Sequence, residues 1–374
     1  MKIIYISDSA IPSSSPNSVH VMKMCQAFAS GGHNVTLIGK NTTACFTQER
    51  DPHAFYAVKK NFALKIYPAR AFTGAGVWYN ISLLWRVLTL KADLIYTRSI
   101  TAAFFLVLYG KPVVFEVHEP FEGKGTRLRR MFAFVIRNRK LRKLVVISQA
   151  LQRYYQDTFG LPASAIVVAH DGADPFPEAT PVLRPDAFSV GYVGSLYPGK
   201  GMEILLPLAR MCPTASFHVV GGQGQQIEAL QAANADLRNI TFHGFKGQQE
   251  LPGYIASFDV LIAPYTNSVK VSEKRGANNL ALWMSPLKIF EYMSAGKPII
   301  TSGLAVIREI VQHGETALLC DPTVPAEWQA AVETLRDDSV LRARIGNNAR
   351  QTFTEHYTWD IRARDILHAI TKAS

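Results

Sequence analysis

Short, wholly apolar runs alternate with amphipathic segments along nearly the whole chain, and this alternation restricts the fold more than any other feature. Residues 3–7 read as a strand and the Ser- and Pro-rich residues 8–17 as a loop. Ser18 reads as the cap of a helix with Val19, Met22 and Phe28 on its inner side. Gly31-Gly32 ends that helix, and residues 34–38 return as a second strand. Strands without polar alternation are buried on both faces, the situation of a parallel sheet covered by crossover helices. The resulting βαβ unit carries a right-handed crossover. Further strands follow at 64–67, 94–97, 113–117, 144–147 and 166–168, with helices around 78–90, 101–109 and 148–158.

Residues 171–185, DGADPFPEATPVLRP, interrupt the pattern with four prolines and no periodicity. They predict a linker, residues 173–186, between an N-terminal domain (1–172) and a C-terminal one (187–356). The second series has strands at 189–193, 216–220, 240–242, 260–263 and 299–301, with helices between them. A chain of 374 residues exceeds one ordinary core and fits two domains of about 150–200 residues. Tyr357-Thr358-Trp359-Asp360 opens a last helix, expected to pack back on the first domain as segment 357–374. The expected fold is therefore two doubly wound, Rossmann-like α/β domains facing each other across a deep cleft. Ligands in such sheets sit beyond the carboxyl ends of the strands, and small-molecule sites concentrate at domain interfaces.

Within this frame the stretch 283–300, WMSPLKIFEYMSAGKPII, carries the sharpest local signal. Ser285 is placed to cap a helix, Pro286 to fill its first position and Gly296 to stop it. Open backbone N–H groups and the positive dipole end at such a start suit an anion. Lys288 and, one turn later, Glu291 share the face near that start. Gly194 to Gly201, GSLYPGKG, runs from a strand into a helix and offers Lys200 as a point charge. It is no Walker A loop, because the spacing differs and no Ser or Thr follows the lysine. Gly221-Gly222-Gln223-Gly224 repeats the strand–turn–helix arrangement, and residues 265–282, with Lys270, Lys274 and Arg275, form a polar loop long enough to act as a lid. In the first half, Arg98, His118 and Glu119 lie just past strand ends, on the side of the loop that holds Ser14, Asn17 and Ser18. No GxGxxG fingerprint occurs, which argues against an oxidoreductase.

The net charge of +11 and pI near 9.4 point to anionic partners. Much of that charge lies in residues 124–143, where Arg127, Arg129, Arg130, Arg137, Arg139, Lys140, Arg142 and Lys143 flank the apolar run 131–136. This reads either as a solvated helix face or as a patch for anionic lipid. No stacking aromatics interleave with the charges, so nucleic acid is not an expected partner. Cys25, Cys45, Cys212 and Cys320 show neither CxxC nor Cys/His ligand spacing, as for free thiols in a reducing compartment. The apolar run at the start is too short for a signal peptide, and no segment approaches the roughly 20 apolar residues of a membrane span. The expectation is a cytoplasmic protein, peripheral on the inner face of the membrane if the basic patch binds lipid.

Taken together, FEVHE at 115–119, VVIS at 145–148, YVGSLYPGKG at 192–201, SPLKIFEYMSAGKPII at 285–300 and the late YTW at 357–359 resemble the family 4 glycosyltransferases, retaining enzymes of GT-B fold, in the branch with an SPLK box. The resemblance implies a UDP-sugar or GDP-sugar donor held by the second domain and a glycan or lipid-linked acceptor on the first. It implies a role in cell-surface polysaccharide or glycolipid synthesis. Lys200 matches the lysine that neutralises the diphosphate, with Ser195 where family members often place an arginine. Ser285, Pro286, Leu287 and Lys288 fall where the donor diphosphate and sugar are met, and Gly222 and Phe245 fall on the nucleotide side. Glu291 matches the second Glu of a Glu-x7-Glu motif, while Trp283 stands in place of the first. His118 matches a histidine that approaches the transferred sugar. No metal or other cofactor is implied, since protein donors can neutralise the leaving group and no DxD-type pair is evident. Two other readings remain: a sugar-nucleotide epimerase using Glu116, Glu119 or Glu122, and a non-catalytic sugar-nucleotide binder, suggested by the missing Glu.

Overall fold

The computed structural model describes residues 1–13, 15–41, 51–68, 91–121, 125–184, 186–270 and 279–372. Ser14, Cys45, Glu122, the helix expected at 78–90 and the loop residues Lys274 and Arg275 lie outside them. The chain forms two compact units: Met1–His170 together with Trp359–Ser374, and Asp171–Thr358.

The first unit is built on β1 (Lys2–Ala10), β2 (Asn34–Asn41), β3 (Ala63–Pro68), β4 (Leu94–Thr97), β5 (Val113–Val117), β6 (Leu141–Val146) and β7 (Ile166–Val168). These make one parallel sheet in the order β3-β2-β1-β4-β5-β6-β7. Its helices before the chain leaves it, among the described residues, are α1 (Pro16–Ser30), the short α2 (Pro52–Phe55), α3 (Ile100–Leu108), α4 (Thr126–Ile136) and α5 (Gln149–Phe159). β4 and β5 are buried along their whole length, which explains their unbroken apolar sequence. The strand order reverses between β1 and β4, the kind of switch point where ligands collect.

The second unit repeats the plan with β8 (Phe188–Val193), α6 (Met202–Met211), β9 (Ala215–Val220), α7 (Gly224–Ala233), β10 (Ile240–Gly244), α8 (Leu251–Ala256) and β11 (Val260–Ala263). It continues with α9 (Leu287–Ser294), β12 (Ile299–Ser302), α10 (Ala305–Arg308), β13 (Leu318–Cys320), α11 (Pro325–Asp337) and α12 (Ser339–His356). The parallel order is β10-β9-β8-β11-β12-β13, with its reversal between β8 and β11. The last helix, α13 (Trp359–Thr371), belongs to the first unit and lies along α1. Cys25, Cys212 and Cys320 are buried free thiols.

Two local readings change. Ser18 does not cap α1: the helix begins at Pro16, whose fixed φ starts the first turn, and the buried Ser18 hydroxyl donates back to the Ser13 and Ser15 carbonyls. Ser285 does not cap α9, which begins at Leu287 after Pro286 in the N-cap position with no side-chain cap. The Ser285 hydroxyl instead accepts the Asp171 amide at 2.8 Å, so it fixes the entering chain. Within the stretch read as a linker, the Val182 and Leu183 amides donate to Ser257 Oγ at 3.0 Å. Gly296 does end α9, at φ 66°.

Candidate active site

In the second unit the glycine loop after β8 and the start of α9 are locked together. Tyr292 on α9 is fully buried, and its hydroxyl accepts the Val193 amide at 2.8 Å. Ile289, Phe290 and Met293 are also fully buried, each worth about 1.5–3 kcal/mol of apolar burial, so the helix start cannot drift from the strand end. The chain then turns at Gly194, whose φ of 151° favours glycine. A Cβ there would stand 2.9 Å from Lys288 Nζ, so the lysine tip passes directly beneath the backbone. Gly199 permits a second close approach: a Cβ would meet the Ser268 carbonyl oxygen at 1.9 Å. Accordingly the Thr266 amide donates to the Gly199 carbonyl and the Lys270 amide to that of Pro198, pinning the near end of the 265–282 loop against the glycine turn.

Lys288 points inward. It is 9% exposed, and its ammonium lies 3.8 Å from the centroid of the Tyr192 ring and 5.2 Å from that of Tyr265. Among the described residues Nζ has no hydrogen-bond partner. Burial pushes its pKa well below the ordinary lysine range, and the nearby Lys200 pushes it the same way; Glu291 opposes them. Burial also lowers Lys200. Two lysines thus converge on the uncapped start of α9, with the exposed Ser195 beside them contributing its carbonyl to the Tyr192 hydroxyl at 2.7 Å. Pro286 is buried and Leu287 half-buried at that helix start. Glu291 is exposed one turn along α9, and Trp283 is half-buried at the end of the short turn Leu280–Leu282. Gly222 follows β9 with φ 84°, and Phe245 follows β10 and is 73% exposed. Cations, open amides and an exposed ring thus lie beyond the carboxyl ends of β8, β9 and β10, the groups that recognition of an aromatic anion requires.

In the first unit His118 follows β5, and its Nε2 lies 2.6 Å from Glu116 Oε1. The same oxygen is 3.0 Å from His20 Nε2 on α1 and 2.8 Å from Arg362 Nη2 on α13, while Tyr96 donates to Oε2. The Glu116 side chain is fully buried. Burial pushes its carboxyl upward, but Arg362, His20 and the His118 hydrogen bond outweigh that, holding it well below the usual range. Glu116 is therefore an ionised anchor and not a carboxyl that exchanges protons near neutrality. His20, Glu116 and His118 present ligand atoms within 4.8 Å of one another, and Glu116 is already paired with the Arg362 guanidinium.

The other first-unit candidates are more dispersed. Asn17 Nδ2 donates to Ser9 Oγ at 2.7 Å, Ser18 is turned into the helix, and the Glu119 carbonyl accepts the Tyr155 hydroxyl at 2.8 Å. Arg98 follows β4, and its Nη1 is buried with no hydrogen-bond partner among the described residues. On the basic segment Arg127, Arg129 and Arg130 of α4, followed by Arg137, Arg139, Lys140 and Arg142, are exposed, whereas Lys143 Nζ turns in to the Ser164 carbonyl. Sequence reasoning missed His20, Tyr96 and Arg362, and named Glu116 only as a conceivable acid. An acidic residue inside the apolar run FEV was the available signal, since a buried carboxylate requires partners.

Residues 18–175 match the model of the family described as Glycosyltransferase Family 4, and residues 187–338 that described as Glycosyl transferases group 1. Glycogen synthase of Mycobacterium tuberculosis is 23% identical over 380 residues, spanning 91% of this chain and 87% of that protein. Among solved structures, Anabaena HepE in complex with UDP superposes with a TM-score of 0.74 at 17% identity, over 100% of both chains. Sucrose-phosphate synthase from Thermosynechococcus elongatus gives a TM-score of 0.76 at 17% identity, over 100% of this chain and 98% of the other.

Proposed function

We propose that this chain, which belongs to the family 4 glycosyltransferases of GT-B fold, moves a hexose from a nucleoside-diphosphate-sugar to a glycan or lipid-linked acceptor with retention of anomeric configuration. The observation that carries the reading is the convergence of Lys200, the buried Lys288 and the uncapped start of α9 on one point beside the Gly194 turn. A diphosphate supplies the negative charge that this site lacks. As the bond from the anomeric carbon to the diphosphate oxygen breaks, negative charge grows on the leaving group, where preorganised donors lower the barrier most. The acceptor hydroxyl attacks from the same face, and its proton passes to the departing phosphate oxygen. Glu291 meets the ribose, Gly222 and Phe245 meet the base, and His118 serves the reacting centre. UDP is the favoured base because HepE structures hold UDP and UDP-glucose; GDP is the next choice. Glu116, buried and held by Arg362, Tyr96 and two histidines, is poorly placed to act as an epimerase acid.

Thermal shift with UDP-, GDP- and ADP-sugars tests the donor, since a ligand at 100 times its dissociation constant stabilises by about 2.7 kcal/mol. Transfer to a membrane-extract acceptor should follow and survive EDTA. Donor binding with no transfer would return the chain to a non-catalytic binder, formation of an epimer without acceptor would favour the epimerase, and loss of transfer on chelation would sink the metal-free account.

The role proposed for the product is cell-surface polysaccharide or glycolipid synthesis, with the chain working in the cytoplasm against the inner face of the membrane. No helix among the described residues is long and apolar enough to cross a bilayer. The basic helix α4 supplies the contact: Phe134 is 41% exposed among its arginines, and Leu108 and Tyr109 are exposed at the end of α3. Each Lys or Arg near an anionic surface contributes about 1 kcal/mol. Liposome binding should rise with anionic lipid content and fall with salt, and indifference to both would leave α4 as a solvated face.

A further inference from the structure

We infer that Arg362, on the last helix of the chain, is a positioning residue for the transfer reaction: through Glu116 it fixes which nitrogen of His118 carries the proton. The inference rests on the proposed role of His118 at the reacting centre. The geometry that carries it lies wholly within the first unit. Arg362 is 4% exposed and has every arm engaged: Nε donates to the His170 carbonyl at 2.8 Å, Nη1 lies 3.2 Å from Met24 Sδ, and Nη2 reaches both the Ala169 carbonyl and Glu116 Oε1. The guanidinium cannot pivot away from the carboxylate without losing all of these contacts. Beside it Trp359, from the same helix, stands edge-on to the His20 ring at 5.3 Å, and His20 in turn stands edge-on to His118 at 4.9 Å. The last helix therefore supplies both the counter-ion of Glu116 and one wall of the histidine pair.

The chemistry follows from hydrogen-bond polarity. An ionised carboxylate only accepts, so the Nε2 atom facing Glu116 Oε1 must carry the proton. Neutral His118 is thereby held as the Nε2–H tautomer, with Nδ1 as its basic atom. A protonated Glu116 can donate, and it no longer requires that tautomer. Burial alone would drive Glu116 to that neutral state, and the guanidinium is the permanent charge that prevents it. This arrangement has the form of a carboxylate orienting a catalytic imidazole, with an arginine holding the carboxylate ionised.

The test uses the full-length protein and three variants: Arg362→Lys, Arg362→Met, and the pair Glu116→Gln with Arg362→Met, which removes both buried charges and keeps the fold measurable if Arg362→Met alone does not fold. Nitrogen chemical shifts of His118 report its tautomer without reference to activity. The wild type should show Nε2–H. Arg362→Met should lose that fixed state, and both it and the double variant should turn over about 10–100-fold more slowly, with UDP affinity unchanged because the donor residues lie in the other unit. Arg362→Lys should recover part of both signals. A folded Arg362→Met variant that keeps the Nε2–H tautomer as fully as the wild type, or a double variant whose turnover falls only as far as its folded fraction, would overturn the inference. Wild-type turnover in His118→Ala would overturn the catalytic role on which it rests, whatever the tautomer. Failure of the wild type to bind any nucleoside diphosphate would instead indict the proposed function.

Discussion

Lys288→Met should raise the melting temperature of the ligand-free protein while weakening nucleoside-diphosphate binding. The two effects have one cause. In the free protein the ammonium is buried against two tyrosine rings, with no hydrogen-bond partner among the described residues and a second lysine nearby. An unsatisfied buried polar group costs about 1–3 kcal/mol, and methionine fills similar space without that cost. With a diphosphate present the same group makes a charge-assisted hydrogen bond worth about 1.5–3 kcal/mol, so its loss weakens binding by roughly one to two orders of magnitude. The pH dependence has a definite sign. Because the folded-state pKa of Lys288 is depressed, the unfolded chain binds more protons between that value and the ordinary lysine range. Stability contributed by this group therefore rises with pH across that window, and the methionine variant should lack the rise. Melting curves from neutral to alkaline pH, with calorimetric titration of UDP, measure both. A less stable variant with an unchanged pH slope would show that Lys288 is structural.

Lys200→Ala should lower the transfer rate about 30- to 1000-fold, corresponding to about 2–4 kcal/mol of transition-state stabilisation. Lys200 follows the Gly199 turn, whose carbonyl accepts the Thr266 amide and whose amide donates to Glu203 Oε1, so its position is fixed before any ligand arrives. The effect should fall mainly on kcat, because the charge that Lys200 meets grows as the leaving group departs. Steady-state kinetics with the identified donor measure it, and near-normal turnover would remove Lys200 from the site.

The fold was legible because it depends on period and burial, which sequence carries directly. The unbroken apolar runs of β4, β5 and β11 have only one reading, a strand buried on both faces. The helix starts were less legible. Ser285 has the sequence context of a cap, yet its hydroxyl bonds the Asp171 amide, a choice set by chain geometry 114 residues away. Spacing put Lys288 on the same face as Glu291 but could not show that one turns inward and the other outward. That distinction depends on Gly194 leaving room beneath the turn. The Glu116 network was the least legible, because its strongest partner is the last helix and no local pattern connects β5 to it.

That connection also has a consequence for synthesis on the ribosome. Glu116 emerges early, but its arginine counter-charge is made 246 residues later. Until then the first sheet can collect all seven strands and still hold a buried carboxylate without its guanidinium. The first unit therefore cannot complete its central charge pair until the whole of the second has been translated.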